Sequence, residues 1–291
     1  MLKEIVKKLG SYRILSEPYH RYRLGKETKK KGRPIIIHQM GKVGSTSIYE
    51  ELKKQVPDSP LYHTHFLSQT GIHDAKLRLR ELEPRSNANA WCLLESEVLR
   101  DLVDSHPAYR SVDIVSLVRD PMARNISSYF YNIKKYMPDF FIKYQSEEIN
   151  YTDIMKSFME SFSEHEMPGS WFDQEMKTVF DIDIYRSQFD YEKGYSILEN
   201  KGHRLLLLRL DLLKSNSKLA FGEFLGISNF SLNKSNTSDE QPYKAVYDKF
   251  ITESNFPPEY IEKIYDNKLC QYFYLPQEIE EMKRKWTKWN L

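Results

Sequence analysis

Short apolar runs alternate with amphipathic segments through the first half of the chain. Four of these runs read as buried strands, at residues 34–38 (PIIIH), 61–66, 90–94 (AWCLL) and 112–118 (VDIVSLV). The segments between them have helical periodicity, and we predict helices over residues 48–55, 72–82, 96–105 and 121–136. Nearly all-apolar strands separated by helices are typical of a parallel sheet that is covered on both faces. The pattern therefore predicts an α/β, doubly wound fold with three αβα layers around a central parallel sheet.

The second half of the chain is less regular. Residues 195–198 and 203–210 (HRLLLLRL) read as two strands joined by a tight turn at residues 200–202. Two helices are predicted near the end, over residues 258–267 and 276–289. We find no internal repeat, so these elements are expected to elaborate one domain.

Composition narrows the class of protein. Of the 291 residues, 40% are hydrophobic and 13% are aromatic, which is too many for a disordered chain. No apolar run approaches the roughly 20 residues that span a bilayer, and the N-terminus lacks the apolar stretch of a signal peptide. The sequence has two cysteines, Cys92 and Cys270, which fits a reducing compartment. We therefore expect a soluble, cytoplasmic protein.

The charge is distributed unevenly along the chain. The formal net charge is +2, yet residues 1–33 hold eleven Lys and Arg residues against three Glu residues. Two interpretations of this basic leader stay open, namely peripheral contact with an anionic membrane surface and a solvated helix with a linker. The remaining chain lacks the patterned basic and aromatic surface of a nucleic-acid-binding protein. We predict a leader over residues 1–33 and one domain over residues 34–291, with no nucleic-acid partner.

The loop after the first predicted strand has the composition of an anion-binding site. Its residues are Gly41, Lys42, Val43, Gly44, Ser45, Thr46 and Ser47. Glycines let backbone amides approach an anion, and the start of the next helix adds further donors. The lysine precedes the second glycine, whereas a Walker A loop has its lysine after that glycine. The alternative is a βα turn that binds no ligand.

A second cluster follows the predicted strand at residues 112–118. Arg119 lies at the strand end, the Asp-Pro after it is a helix-start signal, and Ser127 lies about two turns into the helix. A phosphate would fit between the Arg119 guanidinium and the Ser127 hydroxyl. Arg119 also stands where many nucleotide triphosphatases have a magnesium-binding carboxylate, which suggests anion binding without a metal. Arg124 and Asn125 are expected to point elsewhere, as surface residues or in local ion pairs.

Together the two motifs resemble those of sulfotransferases that use 3′-phosphoadenosine 5′-phosphosulfate (PAPS). Residues 41–47 resemble the family's 5′-phosphosulfate loop, and Arg119-Asp120-Pro121 with Ser127 resembles its 3′-phosphate motif. Residues 34–285 as a whole look like bacterial sulfotransferases assigned to capsular polysaccharide synthesis. The resemblance implies a P-loop nucleotide-kinase-like fold, PAPS as co-substrate and no metal. The residues that it implies for PAPS binding are Gly41, Lys42, Val43, Gly44, Ser45, Thr46, Ser47, Arg119 and Ser127.

Two histidines end the second predicted strand. In Tyr62-His63-Thr64-His65, alternation places His63 and His65 on one face, next to the phosphate loop if the first two strands are neighbours. The stretch is similar to the Tyr-His-x-His of heparan sulfate 2-O-sulfotransferases, whose second histidine is the base. This resemblance implies His65 as general base and His63 as a supporting group, with Lys42 as the cation that stabilises the leaving group. Two metal ligands are the alternative, but the sequence offers no clear third ligand.

The resemblance thus implies sulfuryl transfer from PAPS to a hydroxyl group of a carbohydrate or glycolipid. Asp173 and Glu175 are reserve candidates for the base, in a segment (171–175) that either lines the acceptor cleft or begins an amphipathic helix. The polar segment 231–241 is expected to be a loop that closes over the nucleotide. Two other functions stay open, namely a P-loop kinase-like phosphotransferase and a non-catalytic nucleotide-binding protein.

Overall fold

A mostly parallel, five-stranded sheet forms the centre of the protein in a computed structural model that describes residues 13–82, 90–232 and 242–287. Its strands are β1 (Ile35–His38), β2 (Leu61–Thr64), β3 (Asp113–Val118), β4 (Tyr195–Asn200) and β5 (His203–Arg209). Their order in the sheet is β2-β1-β3-β5-β4, and β4 alone runs antiparallel to its neighbour. The predicted α/β class with a central parallel sheet is confirmed.

The middle of the sheet is completely enclosed. Every residue of β1 and β3 is buried, and because side chains alternate between the two faces of a strand, both faces must be covered. At the edge, β4 and β5 are joined through Lys201 and Gly202, whose φ angles of 48° and 87° are both positive, as a type I′ hairpin turn requires. The predicted hairpin is thereby confirmed.

Helices flank this sheet. In chain order they are α1 (Arg13–Glu27), α2 (Ser45–Gln55), α3 (Gln69–Leu82), α4 (Ala90–Ser105), α5 (Pro121–Tyr131), α6 (Ile133–Tyr136), α7 (Phe140–Gln145), α8 (Tyr151–Ser161), α9 (Met167–Phe172), α10 (Thr178–Phe180), α11 (Leu213–Leu225), α12 (Lys244–Glu253), α13 (Pro258–Tyr265), α14 (Lys268–Phe273) and α15 (Pro276–Thr287). A π-helical turn, Asp173–Lys177, joins α9 to α10. None of the helices in the described ranges is long and apolar enough to cross a bilayer.

One predicted strand is wrong. Residues 90–94 form the first turn of α4, which packs against β2 and α1. Leu93 and Leu99 are both buried, so the apolar residues of this helix face the core. A short apolar run suits a buried strand and a buried helical face equally well, and periodicity alone does not separate them.

Part of the predicted basic leader packs against the domain. Leu24 of α1 is buried in the core, and the Glu27 carboxylate accepts a hydrogen bond from the Leu61 amide at 3.1 Å. Arg23 pairs with Glu95 of α4. Residues 1–12 of the predicted leader lie outside the described residues.

Aromatic packing holds α5, the helix that follows β3, against the second half of the chain. The ring centroid of Tyr129 lies 5.3 Å from that of Phe158 on α8, and that of Phe130 lies 5.2 Å from that of Phe250 on α12. All four rings are buried. Edge-on aromatic pairs add to the free energy of hydrophobic burial, so α5 has a well-fixed position beside the ends of the parallel strands.

Candidate active site at the carboxyl ends of the parallel strands

The loop between β1 and α2 has a backbone shaped by two left-handed residues. Gly44, directly before α2, has a φ of 86°, and Lys42 has a φ of 71°. The positive φ favours glycine at this position, and a Cβ atom there would lie 2.7 Å from Cδ1 of Leu210, whose side chain would have to move. The N-cap residue of α2 is Gly44, which has no side chain to cap the helix. The start of a helix presents backbone amides as donors, which is the arrangement that binds anions.

Two arginines hold the carbonyl oxygens of this loop. Arg119 Nη1 donates to the Lys42 carbonyl at 3.0 Å, and Arg124 Nε donates to the Gly41 carbonyl at 3.2 Å. Because C=O and N–H of a trans peptide point in opposite directions, the amides of Lys42 and Val43 face away from these arginines. The two arginines thus leave these backbone amides accessible to an anion. The Val43 side chain itself is buried in the core, so only its backbone is available to a ligand.

Arg124 and Asn125 are not surface residues, contrary to the sequence-based expectation. Arg124 is 2% exposed and pairs with Glu164 at 2.9 Å, while the Asn125 amide donates to the His165 carbonyl at 2.9 Å. Ser128 Oγ also donates to Glu164, at 3.2 Å. Arg124 is therefore part of the loop's support.

Lys42 lies half-buried at the centre of the loop. Its Nζ atom is 4.0 Å from the ring centroid of Tyr131, a cation–π contact with an exposed tyrosine. Burial, followed by the positive charges of Arg119 and Arg124, lowers the pKa of Lys42 to about 8. Burial and the two neighbouring cations thus destabilise the protonated form of Lys42, and a bound anion would stabilise it.

His63 lies beside the phosphate loop and is fully engaged by it. Its Nε2 atom is 2.7 Å from Ser45 Oγ and 3.3 Å from the side-chain nitrogen Nε2 of Gln39, and its ring stacks on Tyr49 with 5.6 Å between centroids. Burial, and to a lesser extent His65, lowers the pKa of His63 to about 3. This histidine is neutral at physiological pH and accepts a hydrogen bond at Nε2, so its role in the free protein is to hold the start of α2.

His65 has the geometry of an available base. Its Nδ1 atom lies 2.9 Å from the Gln39 carbonyl, and because a carbonyl only accepts, Nδ1 carries the proton and Nε2 the lone pair. A Cβ atom at Gly41 would lie 3.9 Å from this Nε2, so the lone-pair nitrogen borders the phosphate loop. Burial lowers the pKa of His65, and the positive charges of Arg124 and Lys42 lower that pKa further. The imidazole is consequently neutral at pH 7.

The predicted 3′-phosphate residues lie on the β3 side of the loop. Arg119 follows β3 directly and contacts the Lys42 backbone. Ser127 is half-buried on α5, and its hydroxyl has no hydrogen-bond partner among the described residues. The corner between them is fixed by Asp120, which caps α5 through the amides of Met122 and Ala123. The expected Asp-Pro helix start is confirmed. Thr46 and Ser47 lie in the first turn of α2.

Asp120 has two further partners from the second half of the chain. The Tyr265 hydroxyl donates to Oδ1 at 2.5 Å, and Trp286 Nε1 donates to Oδ2 at 3.3 Å. These bonds tie α13 and α15 to the residue next to Arg119. The start of α5 is therefore held from both halves of the protein.

Asp173 and Glu175 are not positioned as bases. Asp173 pairs with Lys268, and Glu175 is 1% exposed, with both carboxylate oxygens used by Leu67 and Ser68. The segment 171–175 is helical, but it ends α9 and forms part of the π-helical turn rather than beginning a helix. Trp171, Phe172 and Glu175 are buried. Sequence reasoning missed this arrangement because Glu175 and its partners are more than 100 residues apart.

Two further expectations concern metals and the polar loop. Within residues 13–82, 90–232 and 242–287, no three His, Cys, Asp or Glu residues are grouped so as to hold a metal ion. Most of the predicted loop over the nucleotide, residues 233–241, lies outside the described residues.

Comparison with known proteins bears on the second half of the chain. A sequence profile of the NKWYS family, described as "Putative capsular polysaccharide synthesis protein", matches residues 147–275. This part of the chain is similar to that family. No curated protein and no solved structure matches the chain. The matched range contains Trp171, Glu175 and the β4–β5 hairpin, whereas the phosphate loop, both histidines and Arg119 precede it.

Proposed function

We propose that this protein is a PAPS-dependent sulfotransferase with a P-loop nucleotide-kinase-like fold, acting on a hydroxyl group of a carbohydrate or glycolipid. The observation that carries the proposal is the convergence on one loop of a helix N-terminus with glycine at its N-cap, the cations Lys42, Arg119 and Arg124, and the lone-pair nitrogen of His65. The similarity of residues 147–275 to proteins of capsular polysaccharide synthesis supports a carbohydrate acceptor.

The chain's residues fit the charge of PAPS. The loop amides, Lys42 and the hydroxyls of Ser45, Thr46 and Ser47 would hold the 5′-phosphosulfate, and Arg119 with Ser127 would hold the 3′-phosphate. Arg119 has donors to spare, because a guanidinium carries five N–H groups and one of them serves the Lys42 carbonyl. Bound PAPS supplies a sulfuryl group activated by its bond to a phosphate oxygen.

In the proposed reaction, His65 acts on the acceptor and Lys42 on the leaving group. Nε2 of His65 accepts the proton of the acceptor hydroxyl while that oxygen forms its bond to sulfur. The phosphate oxygen takes the electron pair of the bond that breaks, and the Lys42 ammonium stabilises the negative charge on it. The Gln39 carbonyl keeps the proton on Nδ1 and so keeps Nε2 free for this task.

Binding of the product nucleotide tests the donor half of the proposal. Purified protein is titrated calorimetrically with 3′-phosphoadenosine 5′-phosphate (PAP), and with ATP in the presence and absence of magnesium. We expect tight, metal-independent PAP binding that Arg119→Ala weakens, because the 3′-phosphate loses its cation. Arg186→Ala, which removes the same charge from an exposed position, is the matched control and should bind PAP normally.

Turnover tests the acceptor half. Transfer of radiolabelled sulfate from PAPS is measured on a panel of polysaccharides and glycolipids. His65→Ala is expected to abolish transfer while PAP affinity is retained, whereas the exposed His73→Ala is expected to leave both unchanged. Preference for magnesium-ATP over PAP would favour a phosphotransferase, and PAP binding without transfer to any acceptor would favour a non-catalytic nucleotide-binding protein.

A further inference from the structure

The backbone around His65 is fixed from a distant part of the chain. Trp171 Nε1 donates to the carbonyl of His65 itself at 3.1 Å. Glu175 Oε2 accepts from the amides of Leu67 and Ser68 at 2.7 and 2.9 Å, and Oε1 accepts from Ser68 Oγ at 2.8 Å. One short helical segment thus holds the main chain at His65 and again two and three residues later.

The Glu175 carboxylate lies in a tightly enclosed site. His38 Nε2 lies 3.2 Å from Oε2, and the His38 ring packs on that of Trp171 with 4.9 Å between centroids. A Cβ atom at Gly71 would lie 2.0 Å from Oε1, so this residue leaves room for the carboxylate. Burial acts to raise the pKa of Glu175, but His38 and the two amides outweigh it and hold that pKa below its usual value. The group is therefore ionised and accepts hydrogen bonds at both oxygens.

The start of α3 does not need Glu175 as a cap. Ser68 Oγ already accepts from the Gly71 amide at 2.9 Å, which is the usual N-cap interaction. Glu175 instead accepts hydrogen bonds from the amides of Leu67 and Ser68, which precede α3 in the segment that connects His65 to this helix. The π-helical turn at Asp173–Lys177 brings Glu175 to this place, and such turns occur often at functional sites.

From this geometry we propose that Trp171 and Glu175 are positioning residues for His65. They fix the backbone at the His65 carbonyl and at the two residues that follow Phe66, and they thereby maintain the contact between Nδ1 and the Gln39 carbonyl that leaves Nε2 unprotonated towards the phosphate loop. The inference rests on the proposed function, since it assigns to His65 the role of base. It gives a function to a segment that lies within the range similar to the NKWYS family.

The test compares two variants with a matched control. Glu175→Gln removes an acceptor from the amides, and the milder Trp171→Phe removes one hydrogen bond while it keeps an aromatic ring. Asp113→Asn is the control, because Asp113 is also a buried carboxylate, paired with Arg33 and Arg204, but it begins β3 at the opposite end of the sheet. Thermal unfolding is measured for all three variants to compare their losses of stability.

The first readout is the tautomer of His65, observed by NMR on protein with ¹⁵N-labelled histidine and assigned from the spectrum of His65→Gln. We expect a single Nδ1–H tautomer in the wild-type protein and a mixture of tautomers in Glu175→Gln and Trp171→Phe. The control should keep the wild-type signal. If His65 is unchanged in both variants, or changes equally in the control, the positioning role is refuted and Glu175 is merely structural.

The second readout is catalysis. In both variants kcat should fall about 10- to 100-fold, the cost of misplacing a reacting group by about 1 Å, while the dissociation constant of PAP stays within about twofold. An equal fall of kcat in the control would refute the inference. Absence of sulfuryl transfer by the wild-type protein would defeat the proposed function instead, and the tautomer comparison, which needs no turnover, would still decide the positioning role.

Discussion

Anion binding at Lys42 is expected to weaken as the pH rises above about 8. Burial and the neighbouring cations Arg119 and Arg124 lower the pKa of this lysine from 10.5 to about 8, which corresponds to about 3 kcal/mol of free energy against the charged form. A bound phosphate offsets that penalty and keeps the lysine protonated. The complex therefore holds more protons than the free protein above pH 8, and by linkage the affinity falls with rising pH.

The size of this effect follows from the fraction of charged lysine. In the free protein that fraction falls from about nine tenths at pH 7 to about one tenth at pH 9. The affinity for PAP should accordingly fall about tenfold over this interval. The phosphates of PAP do not contribute, because their last pKa lies near 6 and their charge is constant above pH 7.

The assay is calorimetric titration with PAP from pH 6.5 to 9.5, in two buffers of different ionisation enthalpy so that proton uptake is counted directly. Lys42→Arg keeps a full charge throughout this range and should bind PAP with little dependence on pH. Wild-type affinity that stays constant from pH 7 to 9.5 would refute the reasoning. An equal decline in Lys42→Arg would do the same, since the decline would then come from another group.

Three further predictions concern stability, measured by urea unfolding followed by circular dichroism. Arg124→Gln removes the guanidinium that pairs with the Glu164 carboxylate and donates to the Gly41 carbonyl, and it should lower the free energy of unfolding by about 3–5 kcal/mol. Gly44→Ala combines a φ of 86° with a contact of 2.7 Å to Leu210, and it should cost about 1–3 kcal/mol and weaken PAP binding. Tyr265→Phe removes one hydrogen bond to Asp120 and should cost about 1–2 kcal/mol.

Each of these variants has a matched control. Arg186→Gln removes an exposed arginine, so a loss as large as that of Arg124→Gln would contradict the buried pairing. Gly226 also has a positive φ, of 72°, but a Cβ atom there would meet none of the described residues within 4 Å beyond its chain neighbours, and Gly226→Ala therefore isolates the backbone cost from the clash. Tyr151→Phe removes a bond to a neutral serine hydroxyl, and a loss larger than that of Tyr265→Phe would contradict a special role for the bond to Asp120.

Local patterns in the sequence were enough to predict the central sheet. β1, β3 and β5 each contain a buried apolar run because both faces of the sheet are covered there, and the turn at Lys201-Gly202 contains the glycine that its conformation needs. Residues 90–94 were misread because α4 directs its apolar residues to the core, and a short stretch of such a helix has the composition of a buried strand.

The support of the site could not be predicted from local pattern. Arg124 and Glu175 are charged residues in the interior, and each is stabilised by a distant partner, Glu164 at 40 residues from Arg124 and Leu67 at 108 residues from Glu175. A sequence shows the charge of these side chains but not the partner that offsets the cost of burying them. For the same reason, the neutral state of His63 and the tautomer of His65 follow only from the structure around them.

The two hydrogen bonds that Asp120 accepts from Tyr265 and Trp286 have a consequence for co-translational folding. Trp286 is 166 residues further along the chain, and at about 5–20 residues per second a ribosome adds it on the order of ten to thirty seconds after Asp120. During this time the nascent chain already contains the phosphate loop, His63 and His65, whereas Asp120 still lacks its hydrogen bond from Trp286 and, at first, also the one from Tyr265. We therefore expect ligand binding to appear late in synthesis, after α15 has left the ribosome.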